Sequence, residues 1–212
     1  MATQQTERPT GSDNWPGFSL DRIRWTRRSI IAFALTALGT AALLVLLWSR
    51  LLAANQAVAT LGISPLVGRP APDFTITLYS GYQGTYGPKI HLADLKGKPV
   101  VVNFWGSWCA DCRAETPLIE AAWKKYQSSG IVFVGVDIQD QTGPGIAFLQ
   151  QNGVSYLAGP DASDGATTIA YGVTGAPETA FISRRGIVVQ KVGGALDDRT
   201  LDRAVQNLLK SP

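Results

Sequence analysis

The sequence predicts an α/β layer structure with a mixed sheet, placed behind one N-terminal membrane-spanning helix. Three observations carry this expectation. Residues 29–48 form an uncharged apolar run of bilayer length. Over residues 68–212, short apolar runs alternate with amphipathic helical stretches, as in β-α-β units. Near the end, two strand-like runs flank Arg185-Gly186, the pattern of an antiparallel pair.

The run SIIAFALTALGTAALLVLLW carries no charge for 20 residues, which as a helix spans roughly 30 Å. Arg22, Arg24, Arg27 and Arg28 precede it, and only Arg50 follows before Arg69. That asymmetry places the N-terminus in the cytoplasm and the chain beyond the span outside. Trp25 and Trp48 suit the two interfaces. Ala57-Val58-Ala59 has the small-x-small form of a leader cleavage site, and Arg27-Arg28 can be read as a twin-arginine signal. The length of the run favours an uncleaved signal anchor, and either reading delivers the rest of the chain to the extracytoplasmic side. Residues 1–28 read as a disordered cytoplasmic tail and residues 49–67 as a tether ending near Pro65 and Gly68.

The formal charge of +3 invites a nucleic-acid reading, but its distribution argues against one. Residues 1–50 hold six arginines against three acids, whereas residues 51–212 hold 13 basic and 13 acidic side chains. A formally neutral body lacks a phosphate-tracking surface. The surplus is an orientation signal for the span.

In the remaining domain, residues 74–78 form a short alternating strand, and the glycine- and tyrosine-rich stretch 79–88 a hairpin loop or a partner-binding surface. The run VVVNFW at 100–105 is a buried strand. A helix follows with Leu118, Ile119, Ala122, Trp123 and Tyr126 on one face. Residues 131–138 (IVFVGVDI) form a second buried strand. A short helix near 144–151, a strand near 155–158 and a helical stretch near 164–171 come next. Strands at 179–183 and 187–192 close the sheet, and the last helix presents Leu201, Ala204, Val205, Leu208 and Leu209 to it. His91 reads as an ordinary strand residue.

Both cysteines lie in Trp108-Cys109-Ala110-Asp111-Cys112, between a buried strand and an amphipathic helix. At a helix N-terminus, unpaired N–H groups and the dipole stabilise a thiolate at the first sulfur. The second, one turn on, is placed to attack a mixed disulfide. Half a zinc site is the first competing reading, but there is no second cysteine pair and His91 is the sole histidine. A structural staple over so short a loop removes little unfolded-state entropy. Inert reduced cysteines suit an oxidising compartment poorly. Redox chemistry is the favoured reading.

The segment VVNFWGSWCADC at 101–112, with Arg113-Ala114-Glu115 and Pro117, resembles the active-site segment of membrane-tethered thioredoxin-like oxidoreductases of the TlpA, ResA and CcmG/DsbE kind. The run from Gly172 to Thr179 (GVTGAPET) resembles the CcmG form of the segment facing the disulfide. The opening Gly68-Arg69-Pro70-Ala71-Pro72-Asp73-Phe74 is similar to the start of the wider redoxin group. The resemblance implies a thioredoxin fold with an extra helix–strand insertion within 139–171. It makes Cys109 the attacking nucleophile, Cys112 the resolving thiol and Pro177 a cis-proline. Ala176 beside it would then offer its backbone to a substrate strand. Glu115, on the helix face of Cys112, would take the resolving thiol's proton, since Asn103 stands where thioredoxin keeps a buried aspartate. The competing reading is a solvated glutamate in the first turn. Glu178 would be a second acid in the cleft or a surface residue. Trp108 would form an apolar lip for a client peptide, and Trp105 belongs to the core. Asp111 opposes thiolate formation on Cys109 and leans the pair towards a reducing couple.

The resemblance further implies that client protein disulfides, apocytochrome c among them, are reduced outside the cytoplasm. Electrons would come from an integral-membrane thiol donor of DsbD or CcdA type, and no cofactor or metal is required. A disulfide-forming oxidase or isomerase on the same scaffold is the alternative. A peroxiredoxin would carry a T-x-x-C threonine, which Gly106, Ser107 and Trp108 do not supply. A copper-delivery protein would need a wider cysteine pair and a histidine beyond His91.

Overall fold

The computed structural model describes residues 27–60 and 64–212. The chain forms two compact units, one up to Gln56 and one from Ala57 onwards. Helix α1 spans Arg27–Thr60 and contains a stretch, Ile30–Arg50, long and apolar enough to cross a membrane. The tail expected over 1–28 lies outside the described residues up to residue 26, as do Arg22, Arg24 and Trp25. The helix runs past Trp48 through LLAANQAVAT, so the first part of the expected tether is helical. Leucine and alanine are strong helix formers, and no glycine or proline interrupts the chain between Trp48 and Gly62.

The second unit is built on a five-stranded sheet in the order β5-β4-β3-β6-β7. Its strands are β3 (Val100–Trp105), β4 (Val132–Asp137), β5 (Leu157–Pro160), β6 (Glu178–Ile182) and β7 (Val188–Gly193). Strands β3, β4 and β5 are parallel, whereas β6 pairs antiparallel with β3 and with β7. Helix α2 (Ala110–Tyr126) links β3 to β4, and α3 (Thr142–Gln151) links β4 to β5. The short α4 (Ala166–Ala170) precedes β6, and α5 (Asp198–Lys210) closes the chain. Residues 139–171 thus carry the additional helix and strand expected there.

All six residues of β3 and all six of β4 are buried, as sheets covered on both faces require. Alternation sends their side chains to two different cores. Val101, Trp105, Phe133 and Phe181 pack with Ile119 of α2, Phe148 of α3 and Leu201, Val205 and Leu208 of α5. Val102, Phe104, Val134, Val136 and Ala180 face the other way, against Phe74, Ile76, Ile90 and Tyr171. Helix α5 starts where Asp197 accepts the Thr200 N–H at 2.8 Å.

A two-stranded hairpin, β1 (Thr75–Thr77) with β2 (Lys89–His91), covers that second core, and residues 79–88 are its connection. His91 ends β2, its ring nitrogen 2.7 Å from the Thr75 hydroxyl. The hairpin meets the sheet at Gly159, where a Cβ would run into the Thr77 carbonyl oxygen and the Leu78 Cα. Backbone cannot swing aside as a side chain does. Gly159→Ala is therefore expected to push β1 off β5 and cost about 1–3 kcal/mol. Thermal unfolding checks this, and an unshifted midpoint would mean that the contact gives way freely.

Candidate active site

Strand β3 ends at Trp105, and the loop Gly106–Trp108 carries the chain to Cys109, the N-cap of α2. The Cys109 sulfur accepts the Cys112 N–H at 3.0 Å, so the helix terminus directs a backbone donor at it. The two cysteines are joined as a disulfide and both are buried. Pro117 lies inside α2, and Thr116 before it turns its hydroxyl to the Cys112 carbonyl at 2.7 Å.

Three contacts hold the loop in front of the disulfide. The Trp108 indole N–H donates to the Ile138 carbonyl at 3.2 Å while the ring stays 55% exposed. The Arg113 guanidinium donates to the Ser107 carbonyl at 3.2 Å and lies over the Phe148 ring. The Ser107 N–H donates to the Asp140 carboxylate at 2.5 Å. A large aromatic surface held out beside a disulfide suits a peptide's apolar side chain.

Glu115 lies one turn beyond Cys112 and is 2% exposed. Its carboxylate accepts the Asn103 amide at 2.9 Å and the Leu196 N–H at 2.8 Å. Burial pushes this carboxyl above the ordinary glutamate range, and the two donors only partly offset that. The solvated first-turn glutamate is thereby excluded. Asn103 also donates to the Thr179 hydroxyl at 3.0 Å, which ties Glu115 to both β3 and β6.

The Ala176–Pro177 peptide bond is cis. In the β3–β6 register Phe104 faces Glu178, so the next position sets Pro177 beside Trp105, at the end of the sheet that leads to Cys109. Glu178 behaves differently from either expectation. It opens β6 opposite Phe104, and alternation turns it to the sheet face opposite the one where Asn103 meets Glu115. There it is 5% exposed, paired with the Lys191 ammonium, and accepts the Thr174 N–H at 2.8 Å. Burial alone would raise its pKa, but Lys191 and Thr174 outweigh that and hold it below the usual range. Asp111 is exposed in the first turn of α2.

One further buried acid, which no motif in the sequence marks, lies near the loop. Asp137, at the end of β4, is 3% exposed and accepts the Tyr79 hydroxyl at 2.9 Å. The carboxyl of Asp140, which anchors Ser107, lies within hydrogen-bonding reach of it. The signal available was an acid closing an otherwise apolar strand, IVFVGVDI.

The site can be compared with known proteins. A family model described as AhpC/TSA matches residues 67–191. The chain belongs to this thioredoxin-like family. Among curated relatives, the thiol:disulfide interchange protein DsbE of Pseudomonas aeruginosa is 34% identical over 155 residues, covering 70% of this chain and 81% of that protein. The thiol–disulfide oxidoreductase ResA of Bacillus subtilis is 33% identical over 143 residues, covering 68% and 75%. A solved thiol:disulfide interchange protein of the thioredoxin family from Chlorobium tepidum superposes with a TM-score of 0.58 at 27% identity, over 66% of this chain and 95% of that one. A secreted Mycobacterium tuberculosis disulfide oxidoreductase gives 0.55 at 28%, over 64% and 96%. The thioredoxin fold expected from the sequence is the fold observed. This oxidoreductase is of the DsbE and ResA type, and its chemistry is thiol–disulfide interchange.

Proposed function

We propose that the protein is a membrane-anchored reductase of client protein disulfides on the extracytoplasmic side, with apocytochrome c as the leading client. The observation that carries this reading is the Cys109–Cys112 disulfide at the start of α2, with the exposed Trp108 beside it and the buried Glu115 one turn beyond. Reduced Cys109 attacks one client sulfur as a thiolate. The client disulfide breaks, its other sulfur leaves as a thiolate and takes up a proton, and a mixed disulfide forms on Cys109. Cys112 gives its proton to Glu115 and attacks the Cys109 sulfur, which releases the second client thiol. Two electrons have passed to the client, and the protein is left as the disulfide. A dithiol donor in the membrane, of DsbD or CcdA type, returns the electrons by the same exchange in reverse.

Supporting the substrate side are Trp108, which offers apolar contact, and the Ala176–Pro177 segment, whose backbone can pair with an extended peptide. Supporting the location are the apolar stretch Ile30–Arg50 and the arginines before it. Supporting the reducing direction is Asp111, whose charge lies between the two sulfurs in sequence and disfavours the thiolate form.

Cys112→Ser tests the reading. In cells it should accumulate clients on Cys109 as mixed disulfides that a reductant releases, and recovery of apocytochrome c identifies the leading client. Recovery of many unrelated secreted proteins would move the assignment to an oxidase or isomerase. No adducts on Cys109 would end the proposal.

A further inference from the structure

The strongest unused feature of the domain is the pair of acids beneath the loop Gly106–Trp108. Asp137 sends Oδ2 to the Tyr79 hydroxyl, while its buried Oδ1 meets no donor. Its neighbour is the Asp140 carboxyl, which accepts from the Ser107 N–H and from the Gln141 N–H at 2.7 Å. Two carboxylates are both acceptors, so a hydrogen bond joins them only when one carries a proton. The surroundings decide which. Helix α3 presents Gly145 to Asp137, so closely that a Cβ there would collide with Oδ2, and no cation comes from that side. Strand β3 sets Trp105 in register with Asp137, and the indole N–H makes no hydrogen bond to it. The loop after β1 offers the Tyr79 phenol, itself pushed above its ordinary range by burial and by Asp137. Asp161 and Asp164 line the adjoining cavity of about 300 Å³, and Asp161 is occupied by the N–H groups of Thr167 and Thr168. The Arg113 guanidinium, which reaches the loop, is engaged with the Ser107 carbonyl.

We propose that Asp137 and Asp140 share one proton and act as a positioning pair, in which neutral Asp137 holds Asp140 against Ser107 and so fixes the loop that presents Cys109. The opposite pKa directions of the two acids agree with this. Burial, with the Asp140 charge added, pushes Asp137 up to about 7 against the pull of Tyr79. Asp140 is raised by burial but drawn below its usual range by Ser107, Gln141 and Asp137. Near neutrality Asp137 releases the proton to solvent, and two negative charges then share a nearly closed space. Asp140, the half-buried partner, turns towards solvent and lets go of the Ser107 N–H. Of the two residues between them, Gln139 has a left-handed backbone with φ 50°, unusual for a side-chain-bearing residue. Both the freed loop and the added charge disfavour the Cys109 thiolate. The pair thus lowers reactivity in the range where thiol ionisation would raise it.

The inference rests on Cys109 being the reactive thiol, and its test is separable from that reading. Alkylation of reduced Cys109 by iodoacetamide reads the thiol without a client. Asp137→Asn reproduces the neutral acid, its amide donating to Asp140 and its oxygen accepting from Tyr79, but cannot ionise. At about pH 9 it should react about ten-fold faster than wild type, the worth of one charge-assisted hydrogen bond, and at about pH 5 equally fast. Asp140→Ala, at a half-buried position, should give at every pH the lower reactivity that wild type shows only above neutrality, after allowing for thiol ionisation. Carbon NMR of the Asp137 carboxyl should show a midpoint near neutrality in wild type, falling in Asp140→Ala. Superimposable profiles for wild type and Asp137→Asn, or an ordinary aspartate midpoint, would overturn the positioning role while leaving disulfide exchange intact. Loss of exchange with every disulfide substrate would instead defeat the functional reading itself.

Discussion

Replacing Lys191 with methionine is expected to cost the domain about 3–5 kcal/mol at neutral pH, the penalty for leaving a buried charge without its partner. Both side chains of the Lys191–Glu178 pair are more than nine-tenths buried. Lys191 also donates to the Gly172 carbonyl at 3.1 Å. Against a total stability of about 5–15 kcal/mol, this is a large fraction. The pH dependence gives the loss a signature. In the wild type the Glu178 pKa is depressed, so its contribution is present above the unfolded carboxyl pKa and fades as pH falls through the folded value. In Lys191→Met only the Thr174 donors still oppose burial, the folded pKa rises, and stability falls as pH rises from the unfolded carboxyl pKa through the folded one. Urea unfolding at neutral and at acid pH should therefore show the two proteins converging in acid. A constant gap would mean that the loss comes from packing alone. Adding Glu178→Leu removes the stranded charge and should recover most of the stability. It also frees the Thr174 N–H, whose bond to Glu178 fixes the segment leading to Pro177.

That pair marks where sequence reasoning ran out. The strand expected at 179–183 begins at Thr179, which leaves Glu178 outside it and free to face the cleft or the solvent. The observed β6 begins one residue earlier, and a period of two then assigns Glu178 to one face and Thr179 to the other. A shift of one residue decided which face of the sheet the acid takes. Cys109 and Cys112 were legible because spacing alone fixes their relation, one turn apart at a helix start. Glu115 was legible for the same reason, although its buried state depended on Asn103 and on Leu196, 81 residues away. The Asp137–Tyr79 bond joins residues 58 apart, one at the end of β4 and one in the loop after β1, and no local pattern encodes it. Periodicity reports which face a residue takes within an element. It does not report which side chain from another element meets it there.

Glu115→Gln should move stability and rate in opposite directions. The Glu115 pKa is raised in the fold, so the folded state holds its proton more tightly than the unfolded chain does. Stability is then lost as pH rises from the unfolded carboxyl pKa through the folded one. A glutamine cannot ionise, so the variant should be more stable than wild type at neutral pH and equal to it in acid. Its amide fits the site, since its oxygen accepts the Leu196 N–H while Asn103 reverses its own amide and takes the Thr179 hydroxyl as donor. The same substitution removes the group that the proposed exchange uses as base for Cys112. Decay of a preformed mixed disulfide on Cys109 should slow by about 10²-fold or more, the usual worth of a positioned proton acceptor. The pH dependence of that decay should also lose the limb that rises as Glu115 ionises. Rapid-quench measurement of the mixed disulfide separates this step from the first attack, which should be nearly unchanged. A variant that is stabilised yet resolves at the wild-type rate would leave Glu115 as a buried acid without a part in the exchange. A slower variant with unchanged stability would place the effect in altered packing around Cys112. Only the paired outcome identifies a carboxylate held at the expense of stability because the resolving thiol needs it.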